Sequence, residues 1–99
     1  MEAIAKEIQS GGGKAEVEEC DMSCRRDIVT MAQKVISKYG VPDLIVNNAG
    51  CYYIQQFCDR DYDSWERMVN LNIMGYLIII GEFINHMKVS NNTLIQLVR

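Results

Sequence analysis

This 99-residue chain predicts an α/β fold: one slab of a doubly wound parallel sheet, with three strands alternating with helices. Three observations predict it. The run Leu44-Ile45-Val46 is apolar without alternation, as in a strand covered on both faces of a parallel sheet. It ends abruptly in Asn47-Asn48-Ala49-Gly50. On either side lie segments whose apolar residues recur at three- and four-residue steps, so strand-like and helix-like stretches take turns along the chain. Each crossover then carries a helix, which makes the strands parallel and the connections right-handed.

In order, Glu2 to Gln9 is a short amphipathic helix with Ile4 and Ile8 on one face. Ser10-Gly11-Gly12-Gly13 ends it, since glycine takes a left-handed cap without steric cost. The triple glycine follows a helix, whereas a dinucleotide-binding glycine turn follows a strand, so it is read as a cap. Lys14 to Cys20 alternates Ala15 and Val17 with acids and is taken as the first strand, although Glu16, Glu18 and Glu19 weaken it. Asp21-Met22-Ser23 is the turn, with Ser23 as N-cap. A helix from about Cys24 to Lys38 carries the stripe Ile28, Met31, Val35 and Ile36, and Gly40 and Pro42 stop it. The strand Leu44 to Asn47 and a loop from Cys51 to Arg60 follow.

A long helix begins near Asp61 or Asp63, acids suited to a helix N-terminus, and runs to Met87. Trp65, Val69, Asn72, Ile73, Tyr76 and Phe83 lie on one broad side of it. Nearly every position from Leu71 to Ile80 is apolar, so this helix is expected to be buried against a sheet and a partner helix. Asn91-Asn92 is a turn, and Thr93 to Val98 is the last strand.

Composition excludes several classes. With 48% hydrophobic and 23% charged residues and a net charge of −3, the chain is ordinary for one small globular domain. No basic cluster suggests a nucleic-acid face, and Arg25-Arg26 is only a pair. The N-terminus is helical and acidic, unlike a signal peptide. The apolar run Ile73 to Ile80 is too short to span a bilayer, so no membrane segment and a soluble, cytoplasmic protein are expected. Cys20, Cys24, Cys51 and Cys58 form no Cys-x-x-Cys pair and His86 is the single histidine, so they are read as free thiols rather than metal ligands.

In such sheets ligands bind beyond the carboxyl ends of the strands, which is where Asn47 to Gly50 fall. Gly50 allows a sharp turn or a close ligand, but taken alone the stretch fits an ordinary strand and turn equally well. Asn72, an amide in an apolar helix, needs a hydrogen-bond partner wherever it is buried.

Taken together, these motifs resemble the short-chain dehydrogenase/reductase family of NAD(P)-dependent oxidoreductases. The landmarks are Gly12-Gly13-Lys14-Ala15, Cys20-Asp21-Met22-Ser23, Asn47-Asn48-Ala49-Gly50, and Trp65 through Val69-Asn70-Leu71-Asn72-Ile73-Met74-Gly75. The likeness covers residues 1 to 92 and fades in the last seven. It implies that 1–99 is the central part of a single NAD(P)-binding Rossmann domain. It further implies that Asp21 accepts a hydrogen bond from the adenine amino group and that Met22 contacts adenine. Asn48, Ala49 and Gly50 would pass beneath the adenosine ribose and the nicotinamide side, with Asn47 or Asn48 tying neighbouring strands together. Asn72 would be the catalytic asparagine, which distorts its helix and holds a water in a proton relay; a satisfied core amide is the alternative. The implied cofactor is NAD or NADP, with NADP slightly favoured, and the implied substrate is a small alcohol or carbonyl compound. The long helix, 63–87, would form a homo-oligomer.

Two units of the family pattern lie outside this sequence. One is the TGxxxGxG turn that cradles the pyrophosphate; the other is the catalytic Tyr-x-x-x-Lys, which none of Tyr39, Tyr52, Tyr53, Tyr62 or Tyr76 supplies. Val98 and Arg99 stand about where the family has serines. The expectation is an incomplete, inactive stretch of an oxidoreductase or, alternatively, a truncated non-catalytic member that pairs with a full-length reductase.

Overall fold

In the computed structural model, residues 1–53 and 56–90 and the backbone of 93–96 are described. Helix α1 spans Glu2–Ser10. It closes in a Schellman motif: Gly13 N–H reaches Ile8 O at 3.0 Å and Gly12 N–H reaches Gln9 O at 3.1 Å. The left-handed residue is Gly12, φ 88°. The apolar face of α1 stays open, with Ile4 and Ile8 both exposed.

Lys14 to Cys20, expected as a strand, forms none. A strand needs a ladder partner for its backbone groups, and among the described residues the two strands present pair only with each other. The segment is tied to a helix instead. Glu18 is paired with Lys34, lies 3.6 Å from Lys38, and accepts from Tyr39 Oη at 3.3 Å.

That helix, α2, spans Arg25–Tyr39 and ends at Gly40, whose φ of 89° favours glycine. Ile28 and Ala32 are its fully buried positions, with Met31, Val35 and Ile36 packed at the margin. Strand β1 is Leu44–Asn47 and strand β2 is Thr93–Gln96; they pair in parallel, Leu44 opposite Thr93 through Asn47 opposite Gln96. The expected residues 97 and 98 of the last strand, and the turn at 91–92, lie outside the described residues. β1 is not covered on both faces. Ile45 and Asn47 turn to the helices, while Leu44 and Val46 are each half exposed, because helices pack on one side of the pair only.

A short 3-10 turn, Phe57–Asp59, precedes the long helix. That helix begins with α3, Tyr62–Val69, capped by Asp61, whose carboxylate accepts from Ser64 N at 3.2 Å. It passes through a π-helical turn, Asn70–Met74, in which Gly75 N–H bonds to Asn70 O five residues back. It continues as α4, Gly75–Ser90.

The buried seam of α4 is Tyr76, Ile79, Phe83 and Met87, at steps of three and four, and the last three are set against Ile28 and Ala32 of α2. Val69 and Ile73, expected on the buried side, are exposed. The part-buried and buried positions Trp65, Met68, Asn72, Tyr76, Ile79, Phe83 and Met87 run through the π turn at steps of three and four, and Val69 and Ile73 each fall one position beyond that stripe. By length and composition alone, the continuous helix Tyr62–Ser90, 29 residues, is long and apolar enough to cross a membrane, which counting only Ile73 to Ile80 does not reveal. Its inner side is engaged by α2. With one sheet face open, the radius of gyration is 15.6 Å, against about 13 Å for a closed domain of this length.

Candidate functional site

The strand end and the π turn meet. Asn72 faces the loop that leaves β1, and its amide is satisfied at both ends: Oδ1 accepts from Cys51 N at 2.8 Å and Nδ2 donates to Cys51 O at 2.7 Å. One turn along the same face, Tyr76 Oη donates to Ala49 O. Two side chains of one helix thus hold the floor Asn48-Ala49-Gly50-Cys51. A cleft of about 700 Å³ opens above it, lined by Asn48, Ala49, Gly50, Cys51, Tyr52, Asn72 and Tyr76. Asn47 is buried, and its Nδ2 finds no acceptor among the described residues.

The turn after Cys20 forms the second half. Asp21 Oδ1 accepts from Ser23 N at 2.9 Å and from Ser23 Oγ at 2.6 Å, an Asx turn. Ser23 is therefore not the cap of α2. Cys24 holds that position without a side-chain cap bond, because the Ser23 hydroxyl is already spent on Asp21. Arg67 of α3 reaches across, donating from Nη1 to Ser23 Oγ at 2.9 Å and lying 3.7 Å from Asp21 Oδ2. The Ser23 donors, and then Arg67, hold the Asp21 carboxyl below the usual carboxylate range. The Cys20 thiol is pushed up, first by burial and then by Asp27 and Asp21, so it is the neutral thiol.

The Asp21–Met22 turn rests directly on the long helix. A Cβ at Gly75 would lie 2.5 Å from Met22 O, so only glycine lets the two backbones touch there. Asp21, Met22, Ala49, Gly50, Arg67 and Leu71 share a wide groove that adjoins the cleft, with Ala49 and Gly50 lining both. The sequence-predicted residues Asp21, Met22, Asn48, Ala49, Gly50 and Asn72 therefore lie along one continuous surface. Sequence reasoning missed Arg67, Gly75 and Tyr76. The signal for Gly75 was a glycine in an otherwise apolar helical run. For Arg67, whose partner Ser23 is 44 residues away, the sequence carries none.

A parallel strand pair with a helical crossover, and a floor at the carboxyl end of its strand, defines a slab of an open α/β sheet with its ligand edge exposed. The chain belongs to the short-chain dehydrogenase family, whose model, described as short chain dehydrogenase, matches residues 1–97. Among curated proteins it is 35% identical over 79 residues to a 3beta-hydroxysteroid dehydrogenase 2 of Eggerthella lenta, covering 77% of this chain and 30% of that protein. It is 33% identical over 94 residues to an uncharacterized oxidoreductase of Mycobacterium bovis, covering 89% of this chain and 27% of that one. The chain thus spans about 30% of the length of such relatives. Among solved structures, a metagenomic short-chain oxidoreductase in complex with NADP superposes with a TM-score of 0.89 at 26% identity, covering 95% of this chain and 43% of that one. An alcohol dehydrogenase from Thermococcus sibiricus, complexed with 5-hydroxy-NADP, superposes at 0.85 with 23% identity, covering 96% and 41%, a likeness of fold.

Proposed function

We propose that the protein carrying this sequence is an NAD(P)-dependent oxidoreductase acting on a small alcohol or carbonyl compound, and that residues 1–99 are the central part of its single nucleotide-binding domain. The observation that carries the reading is the pair of Asn72 hydrogen bonds to Cys51, which fixes a small-residue floor beside the Asp21–Met22 turn. The residues fit the group. An ionised carboxylate accepts only, which suits the donating amino edge of adenine, and Asp21 presents Oδ2 with no Ser23 bond on it. Ala49 and Gly50 offer backbone with little side chain to a flat ligand.

In this reading Asp21 and Met22 hold adenine, and Asn48, Ala49 and Gly50 underlie the ribose and the nicotinamide side. The nicotinamide supplies hydride transfer when bound. Asn72 gives one amide hydrogen and its oxygen to the floor, which keeps that floor and the π turn in place, and in this reading it is also the asparagine that holds the relay water. The nucleotide is NAD or NADP, with NADP slightly favoured, a preference supported by the NADP in the 26%-identical metagenomic oxidoreductase. In the complete sheet Lys14 to Cys20 pairs as a third strand. The outer side of the long helix, with Ile73 and Leu77 more than half exposed, forms the contact between copies, and the protein works in the cytoplasm.

These 99 residues by themselves do not catalyse, since the sequence supplies no Tyr-x-x-x-Lys to move the proton. The test is to purify the native protein from its source, with peptides of this stretch as tags, and to measure intact mass and NAD(P)H-dependent carbonyl reduction. A mass of about 27 kDa, that of roughly 250 residues, together with reductase activity is expected. Activity in the isolated 99-residue chain, or a native protein that binds neither nucleotide, would overturn the reading. A native mass of 11.3 kDa would favour the non-catalytic partner instead.

A further inference from the structure

The groove beside Asp21 is acidic. Glu2, Glu18, Glu19, Asp21 and Asp27 line it, and Arg67 is the one cationic side chain among its described lining residues. Arg67 is also where three elements meet. It donates to Ser23 Oγ and pairs with Asp21 on the turn before α2, and the Tyr53 hydroxyl on the loop after the floor, then Asp21, push its already high pKa further up. That loop is in turn hung on α3 through Tyr53 N and Met68 Sδ, 3.4 Å apart. Both Ser23 bonds end on Asp21 Oδ1, while the guanidinium stands on the Oδ2 side. In an acidic groove a lone carboxylate would swing towards water; a planar cation anchored by a second bond to Ser23 removes that freedom.

We propose that Arg67 is a positioning residue for the adenine half of the nucleotide. Bound to Ser23 and paired with Asp21, it fixes the orientation in which the Asp21 carboxylate meets the amino edge of the base. This rests on the reading that Asp21 faces adenine. Its consequence is discrimination: an oriented carboxylate accepts from a 6-amino group and repels a 6-oxo group.

The test is calorimetric binding of NADPH and of its 6-oxo (hypoxanthine) counterpart to the native protein, wild type and variants. Wild type binds NADPH about tenfold tighter than the 6-oxo form, the worth of one charge-assisted hydrogen bond. Arg67→Ala brings that ratio to about twofold, and Arg67→Lys, a charge without the planar fork, restores part of it. A general loosening of the protein weakens both nucleotides alike and leaves the ratio unchanged. The Arg67 side chain is 48% exposed, so its truncation opens no core cavity. Ser23→Ala, which removes the anchoring hydroxyl, reads the same ratio independently. Equal binding of the two nucleotides by wild type would take Asp21 away from adenine and overturn the proposed function of that turn. A wild-type preference kept in full by Arg67→Ala and Ser23→Ala would overturn the positioning role alone.

Discussion

Replacing Gly75 by alanine pits two effects of known sign against each other. In a helix interior alanine is favoured over glycine by about 1 kcal/mol. At Gly75 the new Cβ would sit 2.5 Å from Met22 O and 3.3 Å from Asn70 O, both backbone atoms. Ordinary contact begins near 3.4 Å, so the Met22 turn or the helix must yield by roughly 0.9 Å, and overpacking of this kind costs about 1–3 kcal/mol. Gly75→Ala is therefore expected to be destabilised by up to about 2 kcal/mol net. Gly81, in the same helix, is the internal control. A Cβ there meets nothing within 4 Å, so Gly81→Ala keeps the gain of up to about 1 kcal/mol. Urea unfolding of the two variants and wild type measures the gap directly. In heat the two melting temperatures should separate by about 10 °C, at roughly 4–8 °C per kcal/mol for a chain of this size. Two alanine variants of equal stability would refute the close seating of the Met22 turn on the helix.

Further outcomes follow from the same geometry. Asn72→Ala leaves Cys51 N and O without partners at a part-buried site and should cost about 1–3 kcal/mol, with faster hydrogen exchange at the Cys51 amide as its local mark. Asn72→Asp keeps the acceptor but sets an oxygen against Cys51 O, so it should be weaker at neutral pH and recover part of its stability on acidification, read from urea midpoints across pH. Asp21 has a folded pKa below its unfolded value of about 3.9, so its contribution is complete above that pH and fades as pH falls through the folded pKa. The difference in urea midpoint between wild type and Asp21→Asn should accordingly shrink in that acid window and be flat above it. On the proposed contact between copies, Ile73→Glu or Leu77→Glu, on the exposed side of the long helix, should lower the sedimentation mass of the native protein in analytical ultracentrifugation with little change in the fold of each copy.

Local rules made much of this legible in the sequence. Ile28 sits where its periodicity put it, Gly40 stops α2 with the positive φ that glycine tolerates, and Asn72 has the partners that a buried amide demands. What escaped depends on distant chain. Lys14 to Cys20 has a strand's composition, but a strand is made by its neighbour, and composition does not name one. Leu44 and Val46 are apolar enough for a two-sided strand, yet only one side is packed, since burial is decided by what lies opposite. Ser23 has the chemistry of a helix cap and uses it on Asp21 two residues back, a competition that helix-start rules do not resolve. Arg67 reads as a solvated helix charge until the fold sets it beside a turn 44 residues earlier.

The π turn at Asn70–Met74 sets the phase between the two halves of the long helix. Removing any one residue from that turn would restore ordinary winding and rotate everything beyond it by about 100° relative to α3. Such a deletion would act as a twist of a shaft rather than as the loss of a side chain. Tyr76 would leave Ala49, the seam Ile79–Phe83–Met87 would swing off α2, and a side now open to solvent would be driven inward. Asn72 apart, this stretch should therefore tolerate changes of residue identity far better than changes of length, the reverse of what is usual for a segment that looks, in sequence, like plain helix.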